Sequence, residues 1–207
     1  MIDFEKSIEK KFPVFEMEIE FLQKYKEYSV TLPLINVSGR YHILFEIRSQ
    51  SLYEQPGEVC FPGGRVEKDE YPIQAALRET YEELGIKPVD IKIIGRMKPW
   101  IPQFMSVIHP FIAVLKKDDF HINPMEVEDI FCVPVEYFFN TVPEQGCTEI
   151  VVKPSENFPY HLIQAGRDYK WRNVSMPVYF YKYKERIIWG LTAFITKVFS
   201  QMLKDEV

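Results

Sequence analysis

The sequence has few cysteines and no pairing pattern among them. Its three cysteines, Cys60, Cys132 and Cys147, are an odd number, lie far apart, and include no Cys-x-x-Cys pair or histidine partner at zinc-binding spacing. This excludes a dense disulfide scaffold and argues against a structural zinc site. We expect ordinary thiols in a reducing compartment.

Long apolar segments are also absent. The longest apolar run, Ile187 to Ile195, is far shorter than the roughly 20 residues that a helix needs to cross a bilayer. Residues 1–11 carry charges where a secretory signal peptide needs an apolar centre. We therefore expect a cytoplasmic protein without membrane association.

An excess of basic residues is missing as well. There are 25 Lys and Arg against 30 Asp and Glu, a net charge of -5 at pH 7. Nucleic-acid binding without sequence preference depends on basic side chains that neutralise phosphates, so we expect no nucleic-acid partner. An anionic small-molecule substrate would need bound cations, which a few carboxylates can hold.

What is present indicates one main domain with an extension. The chain has 207 residues, of which 46% are hydrophobic and 15% aromatic, enough to bury a substantial core. Residues 1–27 mix apolar side chains with Lys and Glu and predict a helical extension, interrupted near Pro13. Residues 28–207 form the predicted main domain. Its predicted elements are two strands within 28–48, strands at 91–97 and 106–115, a short helix at 134–139, and a closing helix at 187–203.

A central helix is predicted from about Glu70 to Leu84. Asp69 is the expected N-cap, and Pro72 suits the first turn because its missing N–H is not needed there. Gly85 is the expected left-handed stop. The sequence therefore contains signals for both the start and the end of this helix.

Three glutamates share one face of this predicted helix. Glu79, Glu82 and Glu83 stand at i, i+3 and i+4, so their like charges repel unless a hard cation lies among them. On its own the cluster is equally typical of a solvated acidic face. Just before the helix, Gly63 and Gly64 allow close backbone approach, and a glycine carbonyl can serve as a metal ligand.

Taken together these positions match a known pattern. Gly-x5-Glu-x7-Arg-Glu-U-x-Glu-Glu-x-Gly-U, with U aliphatic, is matched by Gly64, Glu70, Arg78, Glu79, Glu82, Glu83 and Gly85. This resembles the Nudix box of the Nudix hydrolases. The one departure is Thr80, whose hydroxyl we expect to bond a carbonyl one turn back while the side chain packs inward.

The resemblance implies a fold and a set of roles. The implied fold class is α/β: a Nudix-like α/β/α sandwich with a mixed β-sheet. The implied reaction cleaves a diphosphate linked to another group, with Mg²⁺ or Mn²⁺ as cofactor. The implied metal ligands are Gly63 through its carbonyl, Glu79, Glu82 and Glu83.

The resemblance also implies supporting and catalytic residues. Glu70 and Arg78 would hold the loop and helix together, and Gly64 and Gly85 would give the site its shape. Glu79 and Glu83 are candidate catalytic residues, and Glu79 is the first candidate for the general base. Glu126 is a second candidate, since a glutamate from a later loop serves in some family members; otherwise it is an exposed loop acid.

The segment upstream narrows the resemblance. The coenzyme A pyrophosphatase branch has Leu-Leu-Thr-x-Arg-Ser-x3-Arg-x3-Gly-x3-Phe-Pro-Gly-Gly, and the matching residues here are Leu44, Arg48, Ser49, Gly57, Phe61, Pro62, Gly63 and Gly64. Phe45 and Glu46 depart from it, and Tyr53 stands where the second Arg belongs, so that charge is lost. Residues 189–192, Trp-Gly-Leu-Thr, are similar to a Trp-Gly-x-Thr segment of the same branch.

The implied substrate is therefore coenzyme A or a derivative, cut into adenosine 3′,5′-bisphosphate and 4′-phosphopantetheine. Arg48, Tyr53 and Arg65 are the candidate substrate-binding residues, and the aromatic stretches at 100–104 and 158–161 could line a groove for the pantetheine arm. Two alternatives stay open: a pyrophosphatase for ADP-ribose, another nucleoside diphosphate derivative or NADH, and a Nudix module that binds nucleotides without cleaving them. A homodimer is compatible with the sequence.

Overall fold

The structure is a computed structural model that describes residues 4–11, 26–101 and 106–204. Its helices are α1 (Phe4–Lys11), α2 (Pro72–Leu84), α3 (Val135–Asn140) and α4 (Gly190–Lys204). Its strands are β1 (Lys26–Val37), β2 (Arg40–Arg48), β3 (Val59–Cys60), β4 (Gly63–Arg65), β5 (Ile91–Arg96), β6 (Ser106–Leu115), β7 (Val127–Pro134), β8 (Glu144–Ile150), β9 (Val174–Tyr183) and β10 (Arg186–Trp189). In the described ranges no helix is long and apolar enough to cross a membrane.

The main sheet has seven strands in mixed orientation. Five of them run in the order β3-β2-β1-β6-β5, while β4 pairs with β1 and β7 pairs with β2. Strands β1 and β6 are parallel, and the other pairs of this sheet are antiparallel. A second, antiparallel sheet has the order β10-β9-β8.

Helices cover both faces of the main sheet. Along β2, Phe45 lies in a buried cluster that also contains residues of α1 and α4. Leu44, one residue earlier, lies in a second cluster with Leu84 of α2. Successive strand residues point to opposite faces, so the sheet lies between α2 on one side and α1 and α4 on the other. The predicted α/β/α sandwich with a mixed sheet is confirmed.

The N-terminal helix is part of the main core. Ile8 of α1 is fully buried in the cluster on the α4 side of the sheet, and Phe4 stacks on Tyr41 of β2 with ring centroids 4.7 Å apart. The predicted helix is thus confirmed for residues 4–11, and the first strand begins at Lys26, slightly before the predicted start at residue 28. The predicted interruption near Pro13 lies outside the described residues.

Two predicted helix starts are wrong. Helix α2 begins at Pro72 with Tyr71 as N-cap, because Asp69 adopts a left-handed conformation with φ 64° in the preceding turn. The Tyr71 N–H donates to Gln74 Oε1 at 2.9 Å in place of an aspartate cap. The closing helix starts at Gly190 instead of 187, because residues 186–189 pair with β9 as strand β10.

Candidate functional site

The two glycines before α2 lie where side chains would collide with the site. A Cβ on Gly63 would lie 2.3 Å from the Ser29 carbonyl oxygen on β1, and a Cβ on Gly64 would lie 2.3 Å from Oε1 of Glu79. Real Cβ atoms do not approach other atoms this closely. The glycine pair therefore lets β4 pair with β1 while α2 brings Glu79 directly against the loop.

Arg78 ties this loop to the helix. Its guanidinium donates to both carboxylate oxygens of Glu70 at 2.9 and 3.0 Å and to the Arg65 carbonyl at 3.0 Å. The remaining nitrogen donates to Glu79 at 2.7 Å and to Glu82 at 3.0 Å. The hydrogen bond from Arg78 lowers the pKa of Glu70, and the same carboxylate raises the pKa of Arg78. These charge-assisted hydrogen bonds favour the charged forms of both Glu70 and Arg78.

Three carboxylates converge beside the Arg78 guanidinium. One oxygen from each of Glu79, Glu83 and Glu126 lies within 4.8 Å of the other two. Burial raises the pKa of Glu79, although the hydrogen bond from Arg78 opposes that shift. Burial also raises the pKa of Glu83, and the charge of Glu46 adds to it. A hard divalent cation with oxygen ligands would offset this clustered negative charge, so the donor set fits such a cation.

Glu83 is held in place by the glycine loop. Its side chain is 5% exposed, and Oε2 accepts a hydrogen bond from the Gly63 N–H at 2.8 Å. Next to it on the helix, Thr80 is fully buried and its hydroxyl donates to the Ala76 carbonyl at 2.7 Å. The expected inward packing of Thr80 is confirmed.

Gly85 brings Glu126 to the helix. The glycine is left-handed with φ 74°, and a Cβ there would lie 2.7 Å from His121. The loop between β6 and β7 is anchored on the end of α2, since the N–H groups of His121 and Asn123 donate to the Leu84 and Glu83 carbonyls at 2.9 and 3.0 Å. Glu126 lies near the end of that loop. Gly85 thus ends α2 and also leaves space for the segment that carries the third carboxylate.

Glu82 occupies a different position from the other helix glutamates. Its side chain is 47% exposed and takes its hydrogen bond from Arg78, and it lies outside the group of three. The structure thus brings together Glu79 and Glu83 with Glu126, whereas Glu82 lies at the outer rim. Its role as a metal ligand stays a prediction, as do the other assigned roles.

The candidate substrate-binding residues are dispersed around the glycine loop. Arg48, at the end of β2, donates from Nε and Nη2 to the Glu54 carbonyl, each at 3.3 Å. Arg65 is exposed at the end of β4. Tyr53 is 99% exposed, so its ring is not packed against the described part of the chain.

Glu46 is a residue that sequence reasoning missed. It lies in the middle of β2 and is 1% exposed. Oε2 accepts a hydrogen bond from the Cys60 thiol at 3.8 Å, and Oε1 has no partner among the described residues. Burial raises the pKa of Glu46 to about 8. The sequence signal that could have indicated this residue is a charged side chain within an apolar strand. Glu46 and Arg48 lie on the same face of that strand because they are two positions apart.

The segment at the start of α4 is joined to the upstream motif. Thr192 donates to the Val59 carbonyl on β3 at 3.2 Å, and Trp189 stacks on Phe180 with centroids 6.0 Å apart. The two aromatic stretches predicted to form a groove are not both described, since residues 102–105 lie outside the described ranges. Phe158 packs with Tyr160 and Trp171 in a cluster of its own.

Comparison with known proteins gives the family. The model of the NUDIX domain matches residues 26–147, more than half of the chain. The peroxisomal coenzyme A diphosphatase of Mus musculus is 30% identical over 146 residues, 69% of this chain and 56% of the relative. An uncharacterized Nudix hydrolase of Photorhabdus laumondii is 32% identical over 178 residues, 85% of this chain and 84% of the relative.

A third relative is the mitochondrial coenzyme A diphosphatase of Homo sapiens, 30% identical over 180 residues, 84% of this chain and 68% of the relative. The chain spans about half the length of the mouse relative and of a Nudix hydrolase of Caenorhabditis elegans, 56% and 47% respectively. These relatives confirm the resemblance to the coenzyme A pyrophosphatase branch. The domain match shows that the chain belongs to the Nudix hydrolase family.

Proposed function

We propose that this protein hydrolyses the diphosphate bond of coenzyme A or a derivative, giving adenosine 3′,5′-bisphosphate and 4′-phosphopantetheine. The observation that carries the proposal is the convergence of Glu79, Glu83 and Glu126 beside the Gly63-Gly64 loop. Support for the substrate comes from the upstream motif and from relatives named coenzyme A diphosphatases. This activity concerns a small nucleotide substrate and requires no nucleic acid or membrane.

The proposed cofactor is Mg²⁺ or Mn²⁺, held by Glu79, Glu82, Glu83 and the Gly63 carbonyl, with Glu126 as a further oxygen donor. Such a cation, when bound, neutralises charge on the non-bridging phosphate oxygens and helps to position water for attack. The chain's own contribution is to hold the carboxylates close together. Arg78 fixes Glu79 and Glu82 from one side, and the Gly63 N–H fixes Glu83 from the other.

Glu79 is the proposed general base. Its carboxylate is only 13% exposed, and the hydrogen bond from Arg78 at 2.7 Å holds it in one orientation beside the other carboxylates. Glu126 is the second candidate. One of its carboxylate oxygens accepts a hydrogen bond from the Asn123 amide at 3.3 Å, which limits its movement.

Phosphate recognition is proposed to rest on Arg48 and Arg65. Both flank the segment from the end of β2 to the end of β4 that carries the extended motif. Tyr53 stands at the position of the second motif arginine and is fully exposed without a charge. That observation favours the second candidate function, hydrolysis of ADP-ribose, another nucleoside diphosphate derivative or NADH.

A substrate panel distinguishes these functions. Coenzyme A, ADP-ribose and NADH are incubated separately with the protein and Mg²⁺ or Mn²⁺, and the products are resolved by chromatography. We expect coenzyme A to be consumed fastest and to give the two named products. Intact coenzyme A with consumed ADP-ribose or NADH would replace the proposed substrate, and binding without any cleavage would indicate a non-catalytic module.

The role of Glu82 is tested by Glu82→Gln. The change keeps the side-chain shape and removes the charge, so we expect the fold to persist and turnover to fall about 100-fold or more if the carboxylate is a ligand. Glu128→Gln, an exposed change on β7, is the matched control and should keep the parental rate. Parental turnover in Glu82→Gln would rule out a metal role for that residue.

The cellular compartment and the oligomeric state remain predictions. Two of the relatives are named for the peroxisome and the mitochondrion, so the expected cytoplasmic location has no support from their names. Fractionation and light scattering of the purified protein would measure the two properties directly.

A further inference from the structure

Glu46 is a buried carboxylate with an unused oxygen. The side chain is 1% exposed, and Oε1 has no hydrogen-bond partner among the described residues. Its other oxygen accepts a hydrogen bond at 3.8 Å from the thiol of Cys60, which is a weak donor. Burying a carboxylate oxygen without a partner costs free energy of folding. We therefore look for a bound group that could interact with Oε1.

The charges around Glu46 are those of the carboxylate cluster. Burial is the main cause of the raised pKa of Glu46, and the charges of Glu126 and Glu79 add to it. Burial likewise raises the pKa of Glu83, with the charge of Glu46 as the next contribution. Arg48 is the nearby cation that opposes this repulsion. The hydrogen bonds of its guanidinium that the structure resolves go to the Glu54 carbonyl, so Arg48 does not take the place of a partner for Oε1.

Glu46 departs from the motif of the coenzyme A pyrophosphatase branch at this position. The motif of the coenzyme A pyrophosphatase branch has Thr there, which carries no charge and offers a hydroxyl. Strand alternation places Glu46 on the same face of β2 as Leu44, which packs on the α2 side of the sheet. The substitution thus adds a fourth carboxylate to the side of the sheet where Glu79 and Glu83 lie.

We propose that Glu46 is a further metal ligand of this site, offering Oε1 to a divalent cation that it shares with Glu83. The proposal rests on the proposed function only in that both need a divalent cation at the cluster. Four carboxylates can carry four negative charges, which two divalent cations would balance. Glu46 is the most buried of the four carboxylates.

The test measures cation binding and does not depend on turnover. Mn²⁺ is titrated into the purified protein and into Glu46→Gln. Binding is followed by calorimetry and by the electron paramagnetic resonance signal of free Mn²⁺. We expect Glu46→Gln to weaken at least one Mn²⁺ binding step about tenfold or more. Glu128→Gln, the same chemical change at an exposed position, should bind as the parental protein does. An unchanged isotherm for folded Glu46→Gln would overturn the proposal.

A second measurement covers the case in which Glu46→Gln does not fold. Crystals of the parental protein are soaked in Mn²⁺ and anomalous scattering locates the cation. A peak within about 2.6 Å of Glu46 Oε1 supports the proposal, and the absence of any peak within that distance overturns it.

The two proposals fail separately. Mn²⁺ bound to Glu46 in a protein that cleaves none of the substrate panel would remove the proposed function and leave the ligand assignment intact. Coenzyme A hydrolysis with Mn²⁺ bound away from Glu46 would remove the ligand assignment and leave the proposed function intact.

Discussion

The absence of a Cβ atom at two glycines decides where the carboxylates of this site lie. Gly64 leaves room for Glu79, and Gly85 leaves room for the loop that carries Glu126. Arg78 then fixes Glu79 with a charge-assisted hydrogen bond. Activity should therefore be more sensitive than stability to small changes at these positions.

Gly64→Ala tests this directly. The added Cβ would overlap the end of the Glu79 side chain, which can rotate away, so we expect a stability loss of about 1 kcal/mol and a fall in kcat of about tenfold or more. Kinetics and thermal unfolding measure the two effects. Gly146→Ala is the matched control, since its Cβ would make an ordinary 3.6 Å contact with Phe180. Parental kcat in Gly64→Ala would show that the position of Glu79 does not limit the reaction.

The pair formed by Glu70 and Arg78 predicts a pH dependence of stability. The pKa of Glu70 is lowered in the folded protein, so the pair stabilises the fold above the ordinary carboxyl pKa of 4.5 and loses that effect as pH falls through the lowered value. For Glu70→Gln we expect a Tm about 2–4 °C lower at pH 7, corresponding to about 1 kcal/mol. The difference should shrink as pH falls below 4.5 in a series of thermal melts. A difference that stays constant across the series would contradict the pairing.

At this scale helix spacing predicts the position of the helix glutamates, whereas Glu126 was a candidate only through the family resemblance and Glu46 was not a candidate. Spacing alone places Glu79 and Glu83 within one turn, because a helix has a fixed period. The approach of Glu126 depends on the loop anchored at the end of α2, and the burial of Glu46 depends on the strands beside it. Both are tertiary effects, which a local pattern does not contain.

At the scale of elements, α1 is packed against the sheet. Ile8 is fully buried in the cluster that holds α4, and Lys92 of β5 pairs with Glu5 at 2.7 Å. The helix therefore contributes to the stability of the sandwich as well as covering its surface.

Ile8→Ala measures that contribution. Truncating a fully buried isoleucine should cost about 2–5 kcal/mol of unfolding free energy, because transfer and cavity terms add. Chemical denaturation is the measurement. Val89→Ala, at a position 74% exposed, should change stability by less than about 0.5 kcal/mol. Equal effects of the two truncations would mean that α1 is not part of the core.

Element boundaries were the least predictable part of the fold. The apolar spacing from 187 to 203 predicts one helix, yet Ile187 and Ile188 are β-branched and pair with β9 before the left-handed Gly190 starts α4. Likewise, the turn at Asp69 displaces the start of α2 because Glu70 is held by Arg78. In both cases a tertiary contact outweighs the local signal.

At the scale of the whole molecule, the sandwich assembles one site from distant parts of the chain. Strand β4 and helix α2 supply the glycine loop and two of the three clustered carboxylates, and the loop before β7 supplies Glu126. Strand β2 carries Arg48 and Glu46, the proposed further contributors. These segments lie on or beside the α2 face of the sheet. The central claim is that this assembly cleaves coenzyme A with the help of a divalent cation.

The most direct test of that claim follows coenzyme A by phosphorus NMR in the presence of Mg²⁺ or Mn²⁺, with the parental protein and with Glu83→Gln. We expect the parental protein to convert coenzyme A into adenosine 3′,5′-bisphosphate and 4′-phosphopantetheine, chelation to stop the conversion, and Glu83→Gln to reduce it about 100-fold or more. Coenzyme A that stays intact with the parental protein and either cation, or a folded Glu83→Gln that converts it at the parental rate, would contradict the claim.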